Sequence, residues 1–130
     1  MSRNITFFDT TVTPLKSGDF DKIGNLTGRR SGKSIVLFYA TWCGHCQTLK
    51  PAFQDFAGKA KGRYFIGGVD SEEKDLMSRV PLFSYPIKGY PTIVGFKNGK
   101  FVKIKDHEFK NGQWQRTTAP QTLEQFAVSL

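Results

Sequence analysis

The chain's two cysteines, Cys43 and Cys46, fall at the seam between two stretches of different periodicity. Before them, Ile35-Val36-Leu37-Phe38-Tyr39-Ala40 is apolar without alternation, the pattern of a strand buried on both faces. After them, Leu49, Phe53, Phe56, Ala57 and Ala60 recur at spacings of three and four, laying one apolar stripe along a helix from Cys43 to about Lys61. A strand buried on both faces needs helices above and below its sheet, which points to an α/β architecture. A disulfide closing so small a loop removes little entropy from the unfolded chain. The pair therefore reads as a dithiol that opens and closes, not as a structural staple.

The other elements follow from local signals. Ile5 to Phe8 is expected as a short first strand, and Asp19 to Leu26 as a short helix capped by Ser17 or Asp19. Gly28 to Gly32 is a basic turn. Pro51 should kink the helix after the cysteines, or mark where a short helix meets a longer one. Tyr64 to Val69 reads as a strand, Glu72 to Val80 as a helix, and Pro81 to Gly89 as irregular. Asn98-Gly99 joins strands Thr92 to Lys97 and Lys100 to Lys105 in a tight hairpin. Pro120 suits the first turn of a closing helix with Leu123, Phe126, Ala127 and Leu130 on one face. The order is β-α-β-α-β-α, then a hairpin and a helix. Crossover helices force the first strands parallel and the hairpin is antiparallel, giving a mixed central sheet of four to five strands flanked by about four helices. With no repeat or low-complexity linker, residues 1–130 are expected to form a single domain.

Composition excludes several classes. An apolar fraction of 38% with 14% aromatics is that of a globular chain. The net charge of +8, from 19 Lys+Arg against 11 Asp+Glu, is spread without a run of like charges, so no dedicated nucleic-acid arm is indicated. A solvated basic surface is the ordinary reading, and one favouring acidic partners is the alternative. No segment is long and apolar enough to insert in a membrane. The N-terminus has no apolar stretch of signal-peptide type. A cytoplasmic setting, or a cytosol-derived particle such as a virion, is expected; the endoplasmic reticulum lumen is the alternative if a leader has been lost. The sequons at Asn4 and Asn25 matter only there. A monomer is expected.

Three other signals are weak. Gly28-Arg29-Arg30-Ser31-Gly32-Lys33-Ser34 resembles a phosphate-binding loop, but its spacing is one residue short and a strand follows it, not a helix. Zinc at Cys43 and Cys46 would need two further ligands; His45 cannot readily join from the same turn and His107 stands alone. Two histidines so placed support no serine–histidine–acid arrangement. Neither metal nor cofactor is expected, since electrons pass between sulfurs.

In Trp42-Cys43-Gly44-His45-Cys46 the first cysteine falls at a helix N-terminus, where unpaired N–H groups and the helix dipole favour an anion. The thiolate is the attacking species. His45 can donate a hydrogen bond or carry charge that favours it further, making Cys43 a better leaving group and the disulfide more oxidising. Cys46, one turn in, should be more buried and act as the resolving thiol.

The order of elements and Phe38-Tyr39-Ala40-Thr41-Trp42-Cys43-Gly44-His45-Cys46 resemble the thioredoxin superfamily, and Cys-Gly-His-Cys is similar to a catalytic domain of protein disulfide isomerase. Gly89-Tyr90-Pro91-Thr92, with Val94 to Gly99, resembles the family's cis-proline loop and hairpin. The resemblance covers about residues 18 to 130. It implies a redox-active Cys43–Cys46 disulfide with Gly44 and His45 between the two cysteines. It also implies a cis Pro91 that sets Tyr90 beside the sulfurs to pair with an extended substrate, with Thr92 after it. Trp42 and Tyr90 are expected to form an apolar rim; core packing is the alternative for Trp42. The implied activity is a thiol–disulfide oxidoreductase of oxidase or isomerase type, acting on cysteine-containing proteins in folding and redox homeostasis. A non-enzymatic binding subunit and a redox sensor are the alternatives.

Two family positions differ here. The buried glutamate that assists proton transfer to the resolving cysteine corresponds to Leu37, which cannot move a proton. The arginine that acts on the same thiol is best matched by Arg116, in an unusually long loop, with a plain surface arginine the alternative. Pro81 to Pro86 is the extra part of a lengthened segment. There loop packing of Phe83 and Tyr85 is the ordinary reading, and exposed rings available to substrate or partner are the alternative.

Overall fold

The computed structural model describes residues 7–28, 31–105, 109–110, 113–114 and 120–130. The elements are β1 (Thr13–Pro14), β2 (Lys33–Tyr39), α1 (Gly44–Ala60), β3 (Phe65–Asp70), α2 (Lys74–Arg79), β4 (Thr92–Lys97), β5 (Lys100–Ile104), β6 (Phe109–Lys110), β7 (Gln113–Trp114) and α3 (Pro120–Val128). Short 3-10 turns cover Ser17–Asp19 and Val80–Leu82. The five-stranded sheet has the order β1-β3-β2-β4-β5. β1, β3 and β2 are parallel, and β4 and β5 antiparallel, as a crossover followed by a hairpin requires. β6 and β7 pair separately.

β2 lies at the centre, and both of its faces are covered. Ile35, Leu37 and Tyr39 pack with Leu49, Phe53 and Phe56 of α1 and with Leu123 and Ala127 of α3. Val36 and Phe38 face the opposite core, with Phe20, Leu76, Val94 and Phe96. This two-sided burial is why the run lacks a polar alternation. α1 passes through Pro51 as one continuous helix, with Cys46, Leu49, Phe53, Phe56, Ala57 and Ala60 as its buried stripe.

The expected helix over 19–26 does not form. The Asp19 carboxylate accepts the Lys16 N–H at 2.8 Å, and that of Asp21 accepts the N–H groups of Ile23 and Asn25 at 3.0 and 2.9 Å. Such local side-chain bonds compete with a helix for the same donors. The segment closes instead on a bridge between Phe20 and Leu26. Of the expected first strand, Ile5 and Thr6 lie outside the described residues; Phe7 and Phe8 form a bend, and the edge strand is β1. The described residues thus hold three α-helices, not about four. β1 seats against β3 because Gly67 and Gly68 have no side chain: a Cβ at Gly67 would come within 2.8 Å of Leu15, and one at Gly68 within 3.2 Å of Val12.

Phe83 and Tyr85 are not exposed. They are 8% and 2% accessible and fill the core opposite α1. Phe83 stacks on Phe20 with ring centroids 5.7 Å apart, and Tyr85 stacks on Phe101 at 4.5 Å. The Tyr85 hydroxyl donates to the carbonyl of Gly24 at 2.6 Å, so its polar end is paired. The lengthened segment is a packed flap that carries aromatic surface into the core.

Candidate active site

β2 ends at Tyr39, and the chain turns into α1 at Cys43, whose N–H bonds the Ala40 carbonyl at 3.1 Å. Cys43 is the N-cap of α1, with extended backbone (φ −82°, ψ 120°). Its sulfur accepts the Cys46 N–H at 3.3 Å, which satisfies one of the helix's free donors. Both cysteines are free thiols. They differ in access: Cys43 is 8% exposed and Cys46 is sealed at 0%. Gly44 has open space where a side chain would stand, and His45 is exposed.

Across from the dithiol, the Tyr90–Pro91 peptide is cis. Cys43 Sγ lies 3.5 Å from the Tyr90 carbonyl oxygen, to which the thiol donates. The hydroxyl of Thr92 donates to the Gly89 carbonyl at 2.7 Å and closes the loop on itself. Trp42 is 69% exposed, which rules out core packing. Its ring meets that of Tyr90 edge to face at 6.2 Å. Trp42, Cys43, Tyr90 and Pro91 thus stand together, while Arg116 lies outside the described residues.

The surroundings of Cys46 are apolar. Leu37 is fully buried in the same cluster, in register with Ile93 on one side and Gly68 on the other. Burial, and then the hydrogen bond with Cys43, pushes the Cys46 thiol up to about 12. Tyr39 is a residue the sequence reading passed over. It lies on the face of β2 that carries Leu37, and burial together with Asp70, Glu73 and Cys46 holds its hydroxyl well above the usual tyrosine range. The signal was available: alternation along β2 puts residues 37 and 39 on one face, toward the dithiol helix. Burial, Cys46 and Asp70 likewise raise the Tyr90 hydroxyl. Among the described residues, no group of His, Cys, Asp and Glu could hold a metal ion.

The thioredoxin family model matches residues 12–120. The rabbit protein disulfide-isomerase is 42% identical over 77 residues, covering 56% of this chain and 14% of that protein. A thioredoxin domain-containing protein of Theileria parva is 32% identical over 127 residues, covering 88% of this chain and 56% of that protein. The chain thus spans about half of the Theileria protein and a small part of the isomerase. Among solved structures, human ERp44 form II aligns over 99% of this chain and 32% of its own, with a TM-score of 0.69 at 21% identity. Mitochondrial thioredoxin 3 of Saccharomyces cerevisiae in its oxidised form aligns over 93% and 97%, with a TM-score of 0.63 at 20% identity. The relatives support thiol–disulfide chemistry in general, and the structures match the fold. With its dithiol at the N-cap of α1 and a cis-proline loop opposite, the chain belongs to the thioredoxin family.

Proposed function

We propose that the chain is a thiol–disulfide oxidoreductase of oxidase or isomerase type, acting as one thioredoxin-like domain on cysteine-containing protein substrates. The observation that carries this reading is the asymmetry of the two sulfurs. Cys43 keeps 8% exposure beside the Tyr90 carbonyl, and Cys46 is sealed one turn deeper at 0%.

In the oxidising direction a substrate thiolate attacks Cys43 Sγ of the Cys43–Cys46 disulfide. The S–S bond breaks, and Cys46 leaves with the electron pair and takes up a proton. A second substrate thiolate then attacks the substrate sulfur of the mixed disulfide and expels Cys43 as a thiolate. The substrate loses two electrons and the dithiol gains them; a second disulfide compound must reoxidise the pair. In isomerisation Cys43 attacks a substrate disulfide, the freed substrate thiolate attacks elsewhere in the substrate, and Cys43 leaves with no net redox change. Trp42 and Tyr90 provide an apolar rim for the peptide, and His45 favours the oxidising poise.

Leu37 tempers this reading. Return of Cys46 as a nucleophile requires its proton to leave, and the buried side chain beside it carries no base. Escape of trapped substrate through Cys46 is therefore slow. This feature favours a second reading, a binding subunit that holds partners with little turnover. Insulin reduction and scrambled-ribonuclease refolding by wild type and Cys43→Ser separate the two: equal rates would sink the enzymatic reading. A reduction potential near about −180 mV supports the oxidase or isomerase type, and one near about −270 mV a reductase.

A further inference from the structure

At the end of the sheet away from the dithiol, three lysines form a row across three strands. Lys33 opens β2 and lies directly opposite Lys97 at the end of β4; Lys97 lies directly opposite Lys100, which opens β5. Residues directly opposite in an antiparallel pair share a face, and like charges so placed repel and destabilise. That face is the one carrying α3, because the Lys33 ammonium donates to the Val128 carbonyl at 2.9 Å. Lys103, opposite Gly95 on the same face, continues the row, its ammonium 5.8 Å from the centre of the Phe126 ring.

Two properties separate this row from scattered surface charge. First, no carboxylate among the described residues forms an ion pair with it; Lys33 meets instead the Val128 carbonyl that ends α3. The ion pairs between described residues are Lys16–Glu73, Lys59–Asp55 and Arg63–Glu124, and none involves the row. Second, it is held rigidly. Asn98, at the hairpin tip, donates its N–H to the Gly32 carbonyl at 2.7 Å and accepts the Gly32 N–H on its side chain at 2.9 Å. The Gly99 carbonyl accepts the Leu26 N–H at 2.8 Å, and the Asn25 side chain accepts the Phe101 N–H at 2.9 Å. The lysines thus project from a pinned platform, which lowers the ordering cost of a partner's binding.

We propose that the row Lys33–Lys97–Lys100, extended by Lys103, docks an acidic segment of a partner protein. A cationic row that pairs with no carboxylate of the described residues complements an acidic segment. The strands that carry the row are less suited to nucleic acid: among residues 7–28, 31–105 and 123–130 the large exposed aromatic is Trp42, at the other end of the sheet, so β2, β4 and β5 bring no stacking platform to the lysines. The row also uses lysine point charges where bidentate phosphate recognition favours arginine. Nor do those three strands carry an exposed aromatic anchor of the kind that seats a protein at a membrane interface. At a rise of ~3.3 Å per residue, the row lies roughly 20 Å along β2 from Tyr39, so an acidic segment bound there leaves the dithiol open. The proposal does not depend on the redox reading.

The test is fluorescence anisotropy with a fluorescein-labelled octaglutamate peptide on the full chain. The triple variant Lys33→Gln, Lys97→Gln, Lys100→Gln should weaken binding at least tenfold. A triple variant of equal charge at Lys22, Lys61 and Lys74 should change it less than twofold, and Cys43→Ser with Cys46→Ser should leave it unchanged. Lys97→Gln alone removes the middle cation; it should weaken binding about threefold and raise the melting temperature, because it relieves both repulsive pairs. Equal losses in the two triple variants, or a single-stranded oligothymidylate or phosphatidylserine vesicle that binds the row more tightly than the peptide, would overturn the proposal.

Discussion

Cys43 Sγ and the carbonyl oxygen of Tyr90 stand 3.5 Å apart, joining the dithiol helix to a loop far away in the chain. An extended peptide beside Tyr90 would bring its own sulfur to Cys43 while Cys46 stays sealed. In Cys46→Ala, Cys43 should therefore attack a disulfide-bonded peptide, expel one of its sulfurs as a thiolate and accumulate as the mixed disulfide, seen as a mass adduct on a non-reducing sample. Cys43→Ser should form none. An adduct on Cys46 in the Cys43→Ser variant would reverse the assignment.

Leu37→Glu places a carboxylate in the apolar cluster that holds Cys46. A positioned general base typically accelerates proton transfer by about 10²–10⁴-fold, and release of substrate from the mixed disulfide should speed up at least tenfold in stopped-flow quenching. The same change should cost a few kcal/mol of stability, because a buried carboxylate lacks its hydration. Burial raises that carboxyl's folded pKa above its unfolded value. The variant's deficit in denaturant melts should then be smallest near pH 4 and grow as pH rises to 8.

The Cys46 thiol, pushed up to about 12 by burial, links stability to pH. Below its unfolded pKa both states keep the proton and the contribution is complete. As pH rises past about 8.5, the unfolded chain releases the proton and the folded chain keeps it, so stability falls. By pH 10 this group alone should remove about 2 kcal/mol. Urea melts of reduced wild type and reduced Cys46→Ala at pH 7.5 and pH 10 check the sign: the alanine variant should lose less across that interval.

Gly24 has a positive φ of 90°, and a Cβ there would come within 2.6 Å of Phe83 and 2.9 Å of Tyr85. Gly24→Ala should cost more than 2 kcal/mol by forcing both rings aside in a close-packed core. Tyr85→Phe leaves the Gly24 carbonyl without its donor and should cost about 1–2 kcal/mol. Both are measurable by chemical denaturation, and a silent Gly24→Ala would mean that the flap is not packed as described.

Arg79 shows why part of the fold was not legible in the sequence. Its guanidinium donates to the carbonyls of Ser17, Phe20 and Asp21 at 2.9, 3.0 and 3.1 Å, tying α2 to the segment that was expected to be a helix. The partners of Phe83 and Tyr85 were not legible for the same reason. Two prolines and a polar neighbourhood mark an irregular segment, but they do not say whether its rings meet water or Phe20 and Phe101. The place of Tyr39 on the Leu37 face of β2, by contrast, follows from alternation alone.

What the sequence determined by itself is what depends on neighbours along the chain. The two-sided burial of β2, the helix stripe through Ala60, the dithiol at the helix start and the Asn98-Gly99 turn all follow from periodicity and backbone preference. Tertiary structure alone decided which distant residues meet. The carbonyl of Tyr90 beside Cys43, the Leu37 side chain in the cluster around Cys46, and the register that lines up Lys33, Lys97 and Lys100 are set by sheet order and by packing across layers. Those are free energies of the whole core. A one-residue slip in strand register would turn every side chain of β4 to the other face, and no local preference within β4 can prevent it.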